Sequence, residues 1–104
     1  MRKQNPGKLA ERRVLRKIKA RPQPNSGALP GMPNDGVKGK YLIEVKSTVK
    51  KSMGVKDIWL MDLADNALMR GKNPALIMVF EGRQPWVAVP LADFEKLSLG
   101  WRTR

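Results

Sequence analysis

The stretch NDGVKGKYLIEVKST (residues 34–48) predicts a turn that leads into a β-strand at 41–48. Side chains of a strand point alternately to its two faces. One face of this strand is apolar and consists of Tyr41, Ile43 and Val45. The other face consists of Leu42, Glu44 and Lys46. A carboxylate and an ammonium therefore share one face, and Asp35 stands a short distance upstream.

The acids and the lysine of this stretch have the spacing D-x8-E-x-K, formed by Asp35, Glu44 and Lys46. Two carboxylates that converge on one point can bind a hard cation such as Mg²⁺ or Mn²⁺, and the carbonyl of Val45 is a further oxygen ligand. Such a metal lowers the pKa of bound water and neutralises charge that develops on a phosphate. A neighbouring lysine can orient the attacking water or stabilise the phosphate in the transition state.

The tripeptide E-x-K is weak evidence when it stands alone, because it is common on solvated strand edges. Three features together favour a metal site here. Asp35 lies in a Gly/Pro-rich loop, the E-x-K lies on a predicted strand, and the chain is strongly basic.

Composition excludes several classes of protein. The 104 residues suffice for one domain with a modest core, so we predict a single domain at 1–104 with a basic arm at about 1–6. Without cysteine and histidine, the chain has no disulfide, no thiol nucleophile and no histidine-based catalysis. It contains neither an apolar run of membrane-spanning length nor a signal-peptide core, which predicts an intracellular protein without a membrane partner.

The charge of the chain points to a polyanionic partner. A net charge of +12 favours nucleic acid, with an anionic membrane surface as the weaker alternative. Apolar residues recur at helical spacing from Leu9 to Ile18, which predicts a first helix with a basic outer face. The candidate nucleic-acid-binding residues of the arm, this helix and the loop after residue 48 are Arg2, Lys3, Arg12, Arg13, Arg16, Lys50 and Lys51.

Glu11 is the only acid among residues 1–21, which contain nine Lys or Arg. It lies at the border of the apolar face of the first helix. It is either a surface acid that pairs with Arg12 or Arg16, or a carboxylate directed toward the strand that carries Glu44.

The pattern of the whole chain predicts the element order α-β-β-α-β-β-α. Residues 21–39 contain four prolines and four glycines and are predicted to be a loop that ends in a short strand. The later elements are strands at 35–37 and 41–48, a helix at 57–70 capped by Asp57 and stopped by Gly71, strands at 75–80 and 85–89, and a helix at 90–97. This order predicts an α/β domain in which helices flank a central mixed β-sheet.

Four parts of the sequence form a recognisable set: Glu11 in the first helix, NSG at 25–27, PND at 33–35 and IEVKST at 43–48. Together they resemble the PD-(D/E)xK nuclease superfamily, and in particular its archaeal- and viral-type Holliday junction resolvases. The likeness continues through WLMDLADNALMRGKNPALIMVF (59–80) and QPWVAVPLADF (84–94). It implies a restriction-endonuclease-like fold and a homodimer that binds four-way DNA junctions and cuts two strands symmetrically with Mg²⁺ or Mn²⁺.

The resemblance also implies an active site. The catalytic residues would be Glu11, Ser26, Asp35, Glu44 and Lys46. The metal ligands would be Asp35, Glu44, Glu11 and the carbonyl of Val45. One departure concerns the Pro-Asp pair, which is adjacent in the family, whereas Asn34 separates Pro33 from Asp35 here.

Other functions fit parts of the same pattern. A different nuclease of the superfamily, such as a flap, single-strand or nicking endonuclease, would share the whole site. A non-catalytic DNA-binding module would keep the fold without needing the acids. A basic ribosomal or RNA-binding protein would explain the charge but not the acids.

The predicted helix at 57–70 is apolar on nearly every side. The residues predicted to pack on the sheet are Leu60, Leu63, Ala64, Ala67 and Leu68. The remaining apolar residues are Ile58, Trp59, Met61 and Met69. A small domain has little further core to cover the second set, so we expect a homodimer formed through this helix and the hairpin at 75–89.

Overall fold

The computed structural model of the chain describes residues 6–22 and 35–102. Three helices and five strands occur in these residues. They are α1 (Pro6–Lys17), β1 (Arg21–Pro22), β2 (Gly36–Lys38), β3 (Tyr41–Thr48), α2 (Asp57–Met69), β4 (Asn73–Phe80), β5 (Trp86–Ala88) and α3 (Leu91–Arg102). The predicted α/β class and the predicted sequence of elements are confirmed, with β1 as an addition.

The five strands form one open sheet in the order β1-β2-β3-β4-β5. β3 and β4 are parallel and pair along all eight of their residues, whereas the other three pairs are antiparallel. The prediction of a central mixed sheet is therefore confirmed. Since β3 is the middle strand, the E-x-K tripeptide lies at the centre of the sheet and not on an edge.

β1 and β4 begin at residues where the sequence did not predict a strand. β1 falls in the Pro/Gly-rich segment that was predicted to be a loop, and its two residues pair only with β2. An edge strand tolerates Pro22 because one side of the strand needs no backbone donor. β4 begins before Pro74, where β5 does not yet pair, since β5 contacts only Leu76–Met78 of β4.

The two faces of the sheet carry separate apolar clusters. The cluster beneath α1 consists of Val14, Leu15, Ala20, Ile43, Val45, Ala75, Ile77 and Val79. The cluster beneath α2 consists of Val37, Leu42, Leu63, Ala67 and Leu76. The predicted alternation of β3 is confirmed, because Ile43 and Val45 face α1 and Leu42 faces α2.

The packing of α2 differs from the prediction. Leu63 and Ala67 are buried, but Leu60 is 40% exposed and Leu68 is 79% exposed. The buried pair is four residues apart, so a single row of the helix surface contacts the sheet. A wide apolar stripe was expected there, and the prediction that Leu60, Ala64 and Leu68 pack on the sheet was wrong.

Helix ends were predicted in part. α2 stops at Gly71, which has a positive φ of 64°, and the N–H groups of Gly71 and Lys72 bond to the carbonyls of Leu68 and Ala67. This is the Schellman arrangement that a glycine at this position predicts. At the other end, Asp57 is the first residue of the helix and the N-cap is Lys56, so the predicted Asp57 cap was wrong.

α1 ends with the same hydrogen-bond pattern but without glycine. The N–H groups of Lys19 and Ala20 bond to the carbonyls of Arg16 and Leu15, and Lys19 has a φ of 59°. A side chain at positive φ is strained because its Cβ approaches the backbone.

In the residues that the structure describes, no helix is long and apolar enough to cross a membrane.

Replacing Lys19 with Gly should stabilise the protein by roughly 1 kcal/mol, because glycine adopts the left-handed conformation without steric cost. The free energy of unfolding from guanidinium denaturation measures the effect. Lys17→Gly is the matched control, since it removes the same charge at a helical residue and should destabilise the protein. Lower stability of Lys19→Gly would contradict this account of the α1 terminus.

Candidate active site

Asp35 is bound to β3 on both sides of Glu44. Its backbone N–H donates to the carbonyl of Ile43 at 3.0 Å, and its Oδ2 accepts the backbone N–H of Val45 at 2.6 Å. The residue is only 7% exposed. These two bonds hold the buried carboxylate beside the strand that carries Glu44 and Lys46.

The position of Asp35 follows from where β2 starts. β2 pairs with β3 from Gly36 to Lys38, opposite Ile43 to Tyr41. Beyond the last paired residue of β2, the Asp35 carboxylate accepts the Val45 N–H, a hydrogen bond that a backbone carbonyl would accept if β2 were longer. In an antiparallel ladder, the N–H and C=O of one residue face the same neighbour. The Val45 carbonyl, which was predicted as a metal ligand, is therefore directed toward the Asp35 side of β3.

Glu44 and Lys46 share the α2 face of β3, as the alternation predicts. Oε2 of Glu44 is 3.5 Å from Nζ of Lys46, and their side chains are 21% and 32% exposed. The Lys46 Nζ also lies 4.6 Å from the centroid of the Trp59 ring on α2. A cation over an aromatic face is attracted by the ring quadrupole. Lys46 is thus oriented by a carboxylate from its own strand and by an indole from the helix above.

Sequence reasoning missed the contact of Trp59 with Lys46 and predicted a core or dimer-interface position for this tryptophan. No local pattern relates Trp59, near the start of α2, to Lys46, which lies thirteen positions earlier in β3. The contact depends on how α2 lies across the sheet.

Gly36 allows α1 to approach the sheet next to Asp35. A Cβ at this residue would lie 2.7 Å from Cδ2 of Leu15 and 3.1 Å from the backbone oxygen of Arg21. Both distances are shorter than ordinary van der Waals contacts. The absence of a side chain at Gly36 therefore permits the close packing of Leu15 and of the Arg21 backbone against β2, next to Asp35.

Glu11 lies on α1, one turn before Leu15. α1 covers the Ile43 and Val45 face of β3, whereas Glu44 is on the opposite face. Among the described residues, no three side chains of Asp, Glu, His or Cys are close enough to hold a metal together. The structure therefore does not join Glu11 to Asp35 and Glu44 in one acidic group, and its catalytic role stays a prediction.

The basic residues predicted to bind nucleic acid lie in two places. Arg12, Arg13 and Arg16 are exposed on α1. Lys50 and Lys51 are exposed in the turn after β3, where the Lys50 N–H donates to Oγ1 of Thr48 at 3.1 Å. The predicted residues Arg2, Lys3 and Ser26 lie outside the described residues.

The oxygen atoms at this site suit a hard divalent cation. Asp35, just before β2, and Glu44 in β3 carry carboxylates, and Val45 has a carbonyl on the Asp35 side of β3. Mg²⁺ is commonly bound by one or two carboxylates, and water and substrate phosphate complete its coordination. Carboxylate and carbonyl oxygens are thus the donor types that Mg²⁺ and Mn²⁺ accept.

The chain was compared with known proteins and structures. No family model matches it, and no curated protein and no solved structure shows significant similarity to it.

Gly36→Ala should destabilise the protein by about 1–3 kcal/mol, because the added methyl group overlaps Leu15 and the backbone of Arg21. Urea denaturation measures the change. Gly54→Ala is the matched control, since the described residues place no atom within 4 Å of its Cβ position. We expect that control to stay within about 0.5 kcal/mol of the unmodified protein. Equal stability of the two variants would contradict the close approach of α1.

Proposed function

We propose that this protein is a metal-dependent DNA endonuclease that cuts four-way junctions as a homodimer. The observation that carries the proposal is the bonding of Asp35 to both neighbours of Glu44 in β3. It brings two acids and Lys46, which are separated in the sequence, to one part of the sheet. This combination is the one expected for hydrolysis of a phosphodiester.

Each residue has a distinct part in the proposed reaction. Asp35, Glu44 and the Val45 carbonyl would hold Mg²⁺ or Mn²⁺. When bound, the ion lowers the pKa of its water and neutralises charge on the scissile phosphate. Lys46, held by Glu44 and Trp59, presents its ammonium to the phosphate or the attacking water. Ser26 and Glu11 remain proposed participants on the resemblance alone.

DNA is the proposed substrate because the protein is strongly basic. The net charge of +12 and the exposed cations of α1 and the turn after β3 attract phosphates at long range. Helices on both sides of a mixed sheet, with a parallel central pair, are consistent with a restriction-endonuclease-like fold. Four-way junctions are proposed from the resemblance to the resolvases.

A homodimer is proposed because the described residues expose a large apolar surface. On α2 and the same face of β5, the exposed apolar residues are Ile58, Leu60, Met61, Leu68, Met69 and Trp86. Surfaces of this kind usually mark an interface in soluble domains. Two copies related by a two-fold axis would present two equivalent sites, which symmetric incision of a junction requires.

A second candidate is a DNA-binding module without catalysis. Two observations favour it: Glu11 does not form one acidic group with Asp35 and Glu44, and Lys46 is already engaged by Glu44 and Trp59. Other nucleases of the same superfamily, such as flap or nicking endonucleases, would use the same residues. The choice of substrate separates those nucleases from a resolvase.

Cleavage of a four-way junction, a duplex, a flap and a single strand in Mg²⁺ tests the proposal. Glu44→Gln and Lys46→Ala should each lower the cleavage rate at least roughly a hundredfold, while junction affinity stays nearly unchanged. The matched controls are Glu95→Gln and Lys96→Ala, which make the same changes at exposed positions of α3.

The outcomes distinguish the candidates. Cutting of the junction alone supports a resolvase, and cutting of several substrates supports a less specific nuclease. Binding without any cleavage would establish the non-catalytic module. Undiminished cleavage by Glu44→Gln or Lys46→Ala would overturn the assignment of the site.

Met61→Glu should weaken the dimer by about tenfold or more, because it places a charge in the proposed apolar interface, where Met61 is 53% exposed in a single copy. Sedimentation equilibrium in the absence of DNA measures the association. Ser52→Glu is the control, since it makes the same change in net charge at an exposed loop residue. A wild-type chain that sediments as a monomer with and without junction DNA would exclude the resolvase.

A further inference from the structure

A cleft of about 500 Å³ lies on the α1 side of the sheet, apart from the Glu44–Lys46 pair. It is bounded by α1, by the carboxyl ends of β3 and β4, and by the turn that follows β4. Its volume is within the roughly 300–1,000 Å³ that small-ligand pockets occupy. We call it the α1 cleft.

The chemistry of the α1 cleft combines positive charge with an apolar floor. Arg13 and Lys17 come from α1, and Arg83 comes from the turn between β4 and β5. Glu81 is the one acid of the lining, so the cleft carries a net positive charge. Val14 and Val79 supply apolar surface between these cations. Phosphate oxygens pair with the cations, and the flat face of a nucleobase packs on apolar surface.

The α1 cleft reaches the carboxyl end of β3, on the opposite face of the sheet from the Glu44 and Lys46 side chains. Ser47 and Thr48, the residues that follow Lys46 in β3, both line it. The exposed lysines Lys50 and Lys51 stand at the same end of β3.

We propose that the α1 cleft binds an unpaired nucleotide of a DNA strand. A duplex keeps its bases stacked inside and could offer the cleft only its backbone, which would leave the apolar floor uncovered. An unpaired nucleotide offers both a phosphate for Arg13, Lys17 and Arg83 and a base for the floor. The choice of DNA as ligand rests on the proposed function, whereas the cleft itself does not involve the metal-binding acids.

Binding of a labelled single-stranded DNA oligonucleotide, measured by fluorescence anisotropy in EDTA, tests this site without any cleavage. Arg83→Ala should lower affinity about fourfold near 0.15 M salt and reduce the slope of log K against log[salt] by about 0.7, which is the effect of one lost phosphate contact on a single strand. The matched control is Arg70→Ala, which removes the same charge at the far end of α2 and should have a smaller effect on both quantities.

A second variant tests the pocket independently of charge. Ala10 lines the α1 cleft, and Ala10→Trp should fill it without changing any charge. We expect single-strand affinity to fall about tenfold and duplex affinity to change much less. Ala92→Trp, at an exposed position of α3, is the control for adding an indole to the surface. Circular dichroism and thermal unfolding establish that each variant is folded.

The results separate this proposal from the nuclease assignment. Equal effects of Arg83→Ala and Arg70→Ala would overturn the α1 cleft, as would unchanged single-strand binding by a folded Ala10→Trp variant. Junction cleavage with no single-strand binding would retain the nuclease and reject the cleft. Single-strand binding that both cleft variants weaken, in a protein that cuts no DNA, would retain the cleft and reject the nuclease.

Discussion

The domain depends on β3, which has a strand along each edge and a helix over each face. It pairs with β2 through three residues and with β4 through all eight. Ile43 is buried toward α1 and Leu42 toward α2. A shift of one residue in register would exchange these faces, burying charges beneath α1 and exposing apolar side chains. The apolar packing of β3 therefore fixes where Glu44 and Lys46 lie.

Asp35 and Gly36 connect this packing to the candidate site. A buried carboxylate is unfavourable unless it is hydrogen-bonded, and the Val45 N–H supplies such a bond. The same bond pairs a strand N–H that lies past the last paired residue of β2, so the acid and the strand end stabilise each other. Next to it, Gly36 leaves room for Leu15 and for the backbone of β1. Asp35 and Gly36 are therefore the two adjacent residues at which β3, α1 and β1 come into contact.

The described surface is unusual in being both basic and apolar. The buried clusters are small, as expected for a chain of 104 residues, and much apolar surface of α2, β5 and α3 stays exposed. The cations of α1 lie on the opposite side of the sheet from α2. This separation is compatible with a protein that joins another copy through one side and binds nucleic acid with the other. The proposed dimer and the proposed DNA-binding cleft would then use different parts of the molecule.

The sequence by itself determined the features that local geometry controls. Strand alternation placed Glu44 and Lys46 on one face, and Gly71 predicted the end of α2, because each depends on neighbouring residues only. Tertiary structure alone decided the rest. β1 forms because β2 pairs with it. Lys19 adopts the left-handed backbone conformation that favours glycine because the chain turns there from α1 toward β1. Trp59 contacts Lys46 because of the way α2 crosses the sheet. Such contacts join residues distant in the chain, and no sequence period encodes the angle at which a helix packs on a sheet.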